Sequence, residues 1–435
     1  MLEPAAHATP AEDRHLLTTA QSPINARLPH LLRSFAYRDF RFLWVTTFLS
    51  SAARNMQQVS LAWLAFHLTG SSLLLGTVLF FYQLPFLGPA LVIGVWADRV
   101  DRRRLLAASQ VALAVTALLL AADIVLGWVR TWHLIAFALL SGTENVVNHI
   151  VRQTLVPRVV PPPFMVNANS LNNIAFNITR IVGAAVGGLL IVTFSVAGNF
   201  AIQAVLLVGV AIAVMPIRVT VAPSDAQAAG HPLRRLAGQL GEGILYLWRS
   251  RQVRNVILLQ FLFNGLAAPF INFLPVFTDH VLQSDARVLG LLTAASGAGS
   301  MVGALLMAQF GHARRRGQFL LLAIAANGVG LALLAAATAL PAAIAVLVYL
   351  GGVQMIVYPL TATLVQTAVP DRLQGRVMAI YNLGNGATAL GSLFMGMAIE
   401  RLGVGTGFAV MGVALLAVSA AAFVLMPSLR VPQDA

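Results

Sequence analysis

Two ionisable residues stand inside stretches of the chain that are otherwise apolar. Arg54 interrupts the first such stretch, and Glu144 interrupts a later one. An ionisable group at the centre of a bilayer is costly unless it faces a cavity or a partner, so each is a candidate functional group. A desolvated carboxylate can take up and release a proton, whereas arginine keeps its proton. These residues therefore indicate charge pairing and proton transfer.

More polar residues follow Glu144 along one helical face. Asn145, Asn148 and Arg152 recur at intervals of three and four residues, and His149 lies beside them. We expect this face to line a cavity that holds a substrate or relays protons. Arg152 could instead extend only to the membrane surface. For His149, an ordinary hydrogen-bonded histidine is favoured over a metal ligand, because no partner has suitable spacing.

The composition is that of a membrane protein. Of the 435 residues, 58% are hydrophobic and 10% are charged, and the mean hydropathy is +0.80. A soluble domain could not bury so much apolar surface. The absence of cysteine excludes disulfides and thiolate metal sites, and the absence of lysine excludes a phosphate-binding GxxxxGK[ST] loop. We expect no metal, no cofactor and no enzymatic activity.

A hydrocarbon core about 30 Å thick requires roughly 20 apolar residues per helix. The sequence therefore predicts an all-α integral membrane protein with 12 transmembrane helices in two six-helix bundles related by pseudo-symmetry. The predicted spans are residues 40–67, 73–97, 105–127, 131–156, 167–193, 196–216, 254–278, 288–310, 318–339, 342–368, 376–400 and 404–426.

These spans divide the chain into an N-terminal tail (1–39), a six-helix bundle (40–216), a linker (217–253), a second six-helix bundle (254–426) and a C-terminal tail (427–435). The end of the first tail is either an interfacial helix or solvated. Arginines in the short loops divide ten to three between the two faces. The positive-inside rule then predicts that both termini are cytoplasmic. The net charge of +13 is a topology signal and not a sign of nucleic-acid binding.

Two internal repeats indicate duplicated halves. The stretch GPALVIGVWADRVDRRR at 88–104 has a weaker copy, GALLMAQFGHARRRGQF, about 212 positions later, in which Phe310 replaces Asp98. The fourth span ends in QTLVP at 153–157, and the tenth ends in QTAVP at 366–370. Repeats of this kind are typical of transporters.

From about residue 38 to residue 427 the chain resembles the major facilitator superfamily. The most specific element is GVWADRVDRRR at 94–104, which resembles that superfamily's loop between the second and third helices. FRFLWVTTFLS, LTGSS at 68–72 and PDRLQGRV at 370–377 resemble a subgroup of bacterial exporters that includes enterobactin exporters and macrolide efflux proteins.

The resemblance implies a gate at this loop. Gly94 would let two helices approach closely, and Asp98 would receive a helix dipole or an arginine. The charged residues implied to stabilise the outward-open state are Asp98, Arg99, Asp101, Arg102 and Arg103. Alternatively, the turn only determines topology.

The fifth span carries RIVGAAVGG at 180–188, which resembles the superfamily's antiporter motif. Ala184 stands where that motif has proline, which weakens the inference of a kink and of antiport. Gly183, Gly187 and Gly188 are expected to allow close helix packing.

In this superfamily the first, fourth, seventh and tenth helices line a central path, so Arg54 and Glu144 could meet there. Counting residues from the ends of their predicted spans places the two at similar depth. We hypothesise that they form a buried pair that responds to a proton or to substrate, with Glu144 as the proton carrier. A permanent structural ion pair is the alternative. Arg180, whose partner the sequence does not identify, is a gate or a substrate contact. The candidate substrate contacts are Gln58, Arg180, Asn264, Gln354, Tyr358, Tyr381 and Asn385.

The resemblance implies a proton-coupled exporter of amphipathic small molecules, such as drugs or siderophores, that works by alternating access. We expect a monomer in the bacterial cytoplasmic membrane whose partners are the substrate, protons and lipid. An importer or a lipid translocator on the same fold is the alternative. A membrane scaffold or an enzyme would be the alternative outside transport.

Overall fold

The computed structural model describes residues 30–97, 100–217, 232–310 and 316–429. All regular secondary structure in these ranges is helical, which confirms the predicted all-α class. The α-helices are α1 (Arg38–Thr69), α2 (Ser72–Leu87), α3 (Pro89–Ala97), α4 (Arg102–Val125), α5 (Thr131–Val159), α6 (Met165–Val214), α7 (Pro232–Arg249), α8 (Arg251–Leu266), α9 (Leu274–His280), α10 (Ala286–Phe310), α11 (Arg316–Ala336), α12 (Leu340–Ala368), α13 (Asp371–Leu383), α14 (Ala387–Leu402) and α15 (Val404–Leu425).

The fold is that of a multi-pass membrane protein. Within the described residues, eight helical stretches are long and apolar enough to cross a bilayer. The longest of them, Pro162–Val214, contains Ser195, whose backbone (φ 66°, ψ 173°) is not helical. Ser195 falls in the gap between the predicted spans 167–193 and 196–216. We call α1–α6 the N-terminal half and α8–α15 the C-terminal half.

Three of the predicted spans are interrupted within their length. The span 73–97 is divided at Gly88, between α2 and α3. A 3₁₀ segment, Ala268–Phe273, separates α8 from α9, and another, Gly384–Gly386, separates α13 from α14. Proline at Pro89 and Pro269 removes a backbone donor, which favours such breaks.

The two halves meet at two crossings of small residues. At the crossing of α6 with α10, a Cβ added to Gly188 would lie 2.4 Å from the carbonyl oxygen of Ala286. At the crossing of α2 with α14, a Cβ added to Gly76 would lie 2.5 Å from the carbonyl oxygen of Ser392. Neither site has room for a side chain, so the backbones of the two halves are in direct contact.

The bundle has two distinct ends. The Gly70 end carries the turn between α1 and α2, and the Asp101 end carries the turn before α4. At the Gly70 end, Glu400 Oε2 on α14 accepts hydrogen bonds from the backbone N–H groups of Ser72 (2.7 Å) and Leu73 (3.2 Å). His67 Nε2 lies 3.6 Å from Asp279 Oδ1 at the same end. Polar contacts therefore join the halves at the Gly70 end.

Candidate functional site

A polar cavity of about 340 Å³ lies between the two halves. Its volume is within the range of small-molecule sites, about 300–1,000 Å³. The residues that line it from the N-terminal half are Arg54, Gln58, Gln83, Phe86, Asn145 and His149. Those from the C-terminal half are Asn264, Ala268, Ile271, Asn272, Tyr358, Asn385 and Thr388. Six predicted site residues are in this lining: Arg54, Gln58, Asn145, Asn264, Tyr358 and Asn385.

A second cavity of about 170 Å³ adjoins the first. It is lined by α3, by the C-terminal part of α5 and by α13, which places it on the side of the Asp101 end. Phe86, His149 and Asn385 line both cavities. The two spaces together therefore lead from the centre of the bundle toward the Asp101 end.

Glu144 is buried behind the cavity in a polar network. Its side chain is 8% exposed. Glu144 Oε1 accepts hydrogen bonds from Gln110 Nε2 on α4 and from Asn148 Nδ2 at 3.1 Å. Asn148 Oδ1 in turn accepts from Arg152 Nε at 2.6 Å. Asn148 thus links the carboxylate to a guanidinium without direct contact between them.

Arg152 is bound to α1 and does not extend to the membrane surface, which corrects that alternative. Its Nη1 donates to the hydroxyls of Thr46 (3.2 Å) and Thr47 (2.5 Å). Its Nη2 donates to the carbonyl oxygen of Thr46 (2.8 Å) and to Ser50 Oγ (2.9 Å). The arginine therefore connects α5 to α1, with neutral oxygens around its charge.

Arg54 does not pair with Glu144, so the expected direct ion pair is wrong for this structure. Its guanidinium carbon lies 5.8 Å from the ring centroid of Phe176, a cation–π distance. The amide donors Gln110 and Asn148 satisfy Glu144 instead. The tertiary structure leaves Arg54 in the cavity lining with no ion pair or hydrogen bond to a described residue.

Arg180 on α6 is near the cavity but is not one of its lining residues. It interacts electrostatically with Tyr358, which does line the cavity. Within the described part of the chain, Arg180 makes no hydrogen bond and no ion pair. Tyr358 is therefore the cavity-lining residue on which the charge of Arg180 acts.

The remaining predicted contacts differ in their surroundings. Gln354 and Tyr381 are buried, 6% and 7% exposed, and lie outside the cavity lining. Tyr381 bonds Thr361 Oγ1 at 3.0 Å and joins α13 to α12. Asn264 Nδ2 donates to the carbonyl oxygen of Gly384 (3.1 Å), in the break between α13 and α14.

One hydrogen bond crosses the cavity between the halves. Gln58 Nε2 on α1 donates to Asn272 Oδ1 in the 3₁₀ segment after α8, at 2.5 Å. Both side chains line the cavity. A substrate that bonds either amide would compete with this contact.

The turn at the Asp101 end is only partly described, since Asp98 and Arg99 lie outside the described residues. Asp101 caps α4 by accepting from the backbone N–H groups of Arg103 (2.9 Å) and Arg104 (3.3 Å). Arg103 Nη1 donates to the carbonyl oxygens of Met215 (3.1 Å) and Ile217 (3.3 Å), just after α6. These bonds hold the turn within the N-terminal half.

The glycines that were expected to allow close helix packing differ in how closely other helices approach them. A Cβ on Gly183 or Gly187 would lie 3.1 Å from atoms of α1, and Gly188 touches α10. Among the described residues, a Cβ on Gly94 would meet only Ile150 Cδ1, at 3.9 Å. No described helix therefore approaches Gly94 closely enough to exclude a side chain, which contradicts the expected close approach.

Sequence reasoning missed several residues of these networks, including Gln110, Glu400 and the α1 partners of Arg152. Gln110, the donor to Glu144, is an amide in an otherwise apolar span, so its depth was a usable signal. Glu400, which caps α2 from the other half, lies near a helix end, where acidic residues are common and carry no signal.

Comparison with known proteins agrees with this architecture. The family described as transmembrane secretion effector matches residues 31–434. The chain is 26% identical over 402 residues to the multidrug efflux pump Tap of Mycolicibacterium fortuitum (88% of this chain, 94% of Tap). It is 24% identical over 389 residues to the enterobactin exporter EntS of Shigella boydii serotype 4 (87% of this chain, 91% of EntS).

Among solved structures, the nucleoside transporter NupG superimposes with a TM-score of 0.70 at 13% identity, covering 89% of this chain and 99% of NupG. At this identity the likeness establishes the fold alone. The protein is a transporter and not an enzyme. The match across nearly the whole chain shows that it belongs to the transmembrane secretion effector family of the major facilitator superfamily.

Proposed function

We propose that the protein is a proton-coupled exporter that moves amphipathic small molecules across the bacterial cytoplasmic membrane by alternating access. One observation carries the proposal. A polar cavity lies between two halves that are joined at the Gly70 end, and its extension leads toward the Asp101 end. This is the arrangement expected of one state of a transporter that opens to one side at a time.

The proposal includes twelve crossings in two halves. The count of twelve is supported when Ser195 divides Pro162–Val214 into two crossings and each of the pairs α2–α3, α8–α9 and α13–α14 is one interrupted crossing. The repeated QTLVP and QTAVP motifs end α5 and α12, which supports equivalent helices in the two halves.

The proposed orientation places the Asp101 end in the cytoplasm. The positive-inside rule supports it, because the arginine-rich short loops belong to that end. The cavity would then be loaded from the cytoplasm, as an exporter requires, while the Gly70 end is closed toward the outside.

We assign proton coupling to Glu144. Its carboxylate is bonded by Gln110 on α4 and Asn148 on α5, and through Asn148 it is connected to Arg152 and α1. Protonation would remove the negative charge that holds these donors, and would loosen three helices of the N-terminal half together. A single proton could thereby change how α1 packs in the bundle.

The substrate is proposed to be of the drug or siderophore type. The cavity combines Phe86 and Ile271 with amide side chains, which suits an amphipathic molecule. The names of the relatives, a multidrug efflux pump and an enterobactin exporter, point in the same direction.

Transport in oriented vesicles tests the proposal. Inside-out vesicles that contain the protein and are acidic inside should accumulate substrate, and an ionophore that collapses the proton gradient should abolish accumulation. Vesicles without the protein provide the control. Accumulation by right-side-out vesicles instead would indicate an importer, and movement of labelled lipid alone would indicate a lipid translocator.

A further inference from the structure

The charges at membrane depth are unbalanced and belong to one half. Arg54, Arg152 and Arg180 lie within helices of the N-terminal half, together with a single acid, Glu144. The other carboxylates of the described residues lie at helix ends, in connecting segments or on the linker helix α7: Asp39, Asp101, Asp123, Glu242, Asp279, Asp285, Asp371 and Glu400.

Glu144 neutralises only one of these arginines. Asn148 connects it to Arg152, which also receives acceptors from α1. Arg54 and Arg180 make no hydrogen bond or ion pair with any residue that the structure describes. Two guanidinium charges therefore remain without a counter-charge.

Both charges act on the same cavity. Arg54 lines it directly, and Arg180 interacts with Tyr358, another lining residue. The described lining contains no carboxylate. The charged side chains in and beside the described lining are therefore mainly positive, and the low-dielectric surroundings strengthen their effect on a ligand.

We propose that the central cavity recognises substrates by an acidic group, a carboxylate or a similar oxyanion, with Arg54 as its main ligand and Arg180 as the second positive charge. This deepens and rests on the proposed function, because it names the chemical class of the exported molecule. An uncompensated guanidinium in a membrane is costly, and an oxyanion relieves that cost by a bidentate, charge-assisted pair.

The two halves would then bind different parts of the substrate. The acidic group faces Arg54, while Asn264, Asn272 and Asn385 of the C-terminal half offer neutral donors and acceptors to the rest of the molecule. An acidic group placed near Gln58 would also compete for the amide that bonds Asn272. Substrate binding would thereby weaken a contact that holds the halves together.

Equilibrium binding to the purified full-length protein tests the charge preference. Fluorescein and rhodamine 6G share a xanthene core, but the first carries a carboxylate and the second is an esterified cation. Fluorescence anisotropy should show at least tenfold tighter binding of fluorescein. Arg54→Gln should lower fluorescein affinity at least tenfold, Arg180→Gln should lower it less, and the double variant should remove the preference.

Two further variants separate charge from folding. Arg54→Lys keeps the positive charge and should retain much of the preference. Arg287→Gln removes an exposed arginine at the start of α10, 4.0 Å from Asp285, and should bind both dyes as the wild type does. Size-exclusion profiles confirm that each variant is folded.

The outcomes distinguish this inference from the export proposal. Equal or tighter binding of rhodamine 6G by the wild type, or unchanged fluorescein affinity in Arg54→Gln, overturns the acidic-group site. Preferred binding of fluorescein without uptake into inside-out vesicles supports the site and contradicts export. Uptake of rhodamine 6G without a binding preference contradicts the site and supports export.

Discussion

The two halves use equivalent helices for different chemistry. Aligning QTLVP at 153–157 with QTAVP at 366–370 shifts the numbering by 213 positions, so that Glu144 corresponds to Val357 and Arg152 to Val365. Both valines are 0% exposed. Helix α12 thus packs in the C-terminal half with buried valines at the two positions where its counterpart α5 has a buried acid and a base. The charged network of the N-terminal half is therefore not required for packing, which supports a functional role.

The residue that lies between Glu144 and Arg152 on the same helical face, Asn148, also differs from its counterpart in the other half. Asn148 connects Glu144 to Arg152 and, through Arg152, α5 to α1. Its counterpart Thr361 bonds Tyr381 and connects α12 to α13. A titratable connection in one half corresponds to a neutral one in the other, so we expect pH to act on the N-terminal half.

The largest expected effect is that of making Arg152 resemble its counterpart. Arg152→Leu leaves the buried Glu144 network without its cation, which should cost about 3 kcal/mol in the free energy of unfolding and abolish transport. Thermal unfolding in detergent and vesicle uptake measure both effects. Val365→Leu is the control: its added methylene in a packed core should cost about 1–3 kcal/mol and leave transport intact. Wild-type stability of Arg152→Leu would show that the two halves do not differ in this way.

Replacing the acid tests the proton role directly. Glu144→Gln keeps the shape and the hydrogen-bond acceptor but cannot carry a proton, so gradient-driven uptake should fall roughly tenfold, equivalent to about 1.4 kcal/mol, and lose its pH dependence. Glu144→Asp should keep the pH dependence at a lower rate. Full, pH-dependent transport by Glu144→Gln in vesicles would exclude Glu144 as the proton carrier.

The contact between the halves can be compared at two glycines of α6. Gly188→Ala places a methyl group 2.4 Å from a carbonyl oxygen of α10 and should cost about 1–3 kcal/mol. Gly209→Ala meets Leu49 Cδ1 at 3.6 Å, an ordinary contact, and should leave the melting temperature nearly unchanged. Equal melting temperatures for the two variants would mean that the halves are not in close contact at Gly188.

The smallest effect is expected at the Gly70 end. Glu400→Gln removes a charge at the N-terminus of α2 and should weaken closure by about 0.3–1 kcal/mol. Because the chain has no cysteine, Trp128→Cys and Leu402→Cys give unique sites for spin labels. In Glu400→Gln, the distribution of distances between the two spin labels should shift toward longer values.

A matched control isolates the link between the halves. Asp285 also caps a helix N-terminus, that of α10, by accepting from the N–H groups of Arg287 (3.0 Å) and Val288 (3.3 Å). It does so within one half, so Asp285→Asn should leave the distance distribution unchanged. An equal shift in both variants would show that Glu400 has no special role in closure.

Local features of the sequence predicted the all-α class, most helix positions and six of the residues that line the cavity. Arg54, Gln58, Asn145, Asn264, Tyr358 and Asn385 are polar groups within apolar stretches, and all six line the cavity. The prediction was wrong for the Arg54–Glu144 pair and for close packing at Gly94. Both errors concern how one helix is rotated and positioned against another, which spacing within a single helix does not define.

The sequence by itself determined that apolar stretches cross a membrane as helices, because the free energy of placing side chains in lipid depends on each stretch alone. It also determined which ionisable groups enter the membrane. Only the tertiary structure decided which partners they meet. A helix advances 1.5 Å and turns about 100° per residue, so a small change in packing brings a different side chain to face Glu144 and leaves Arg54 toward the cavity.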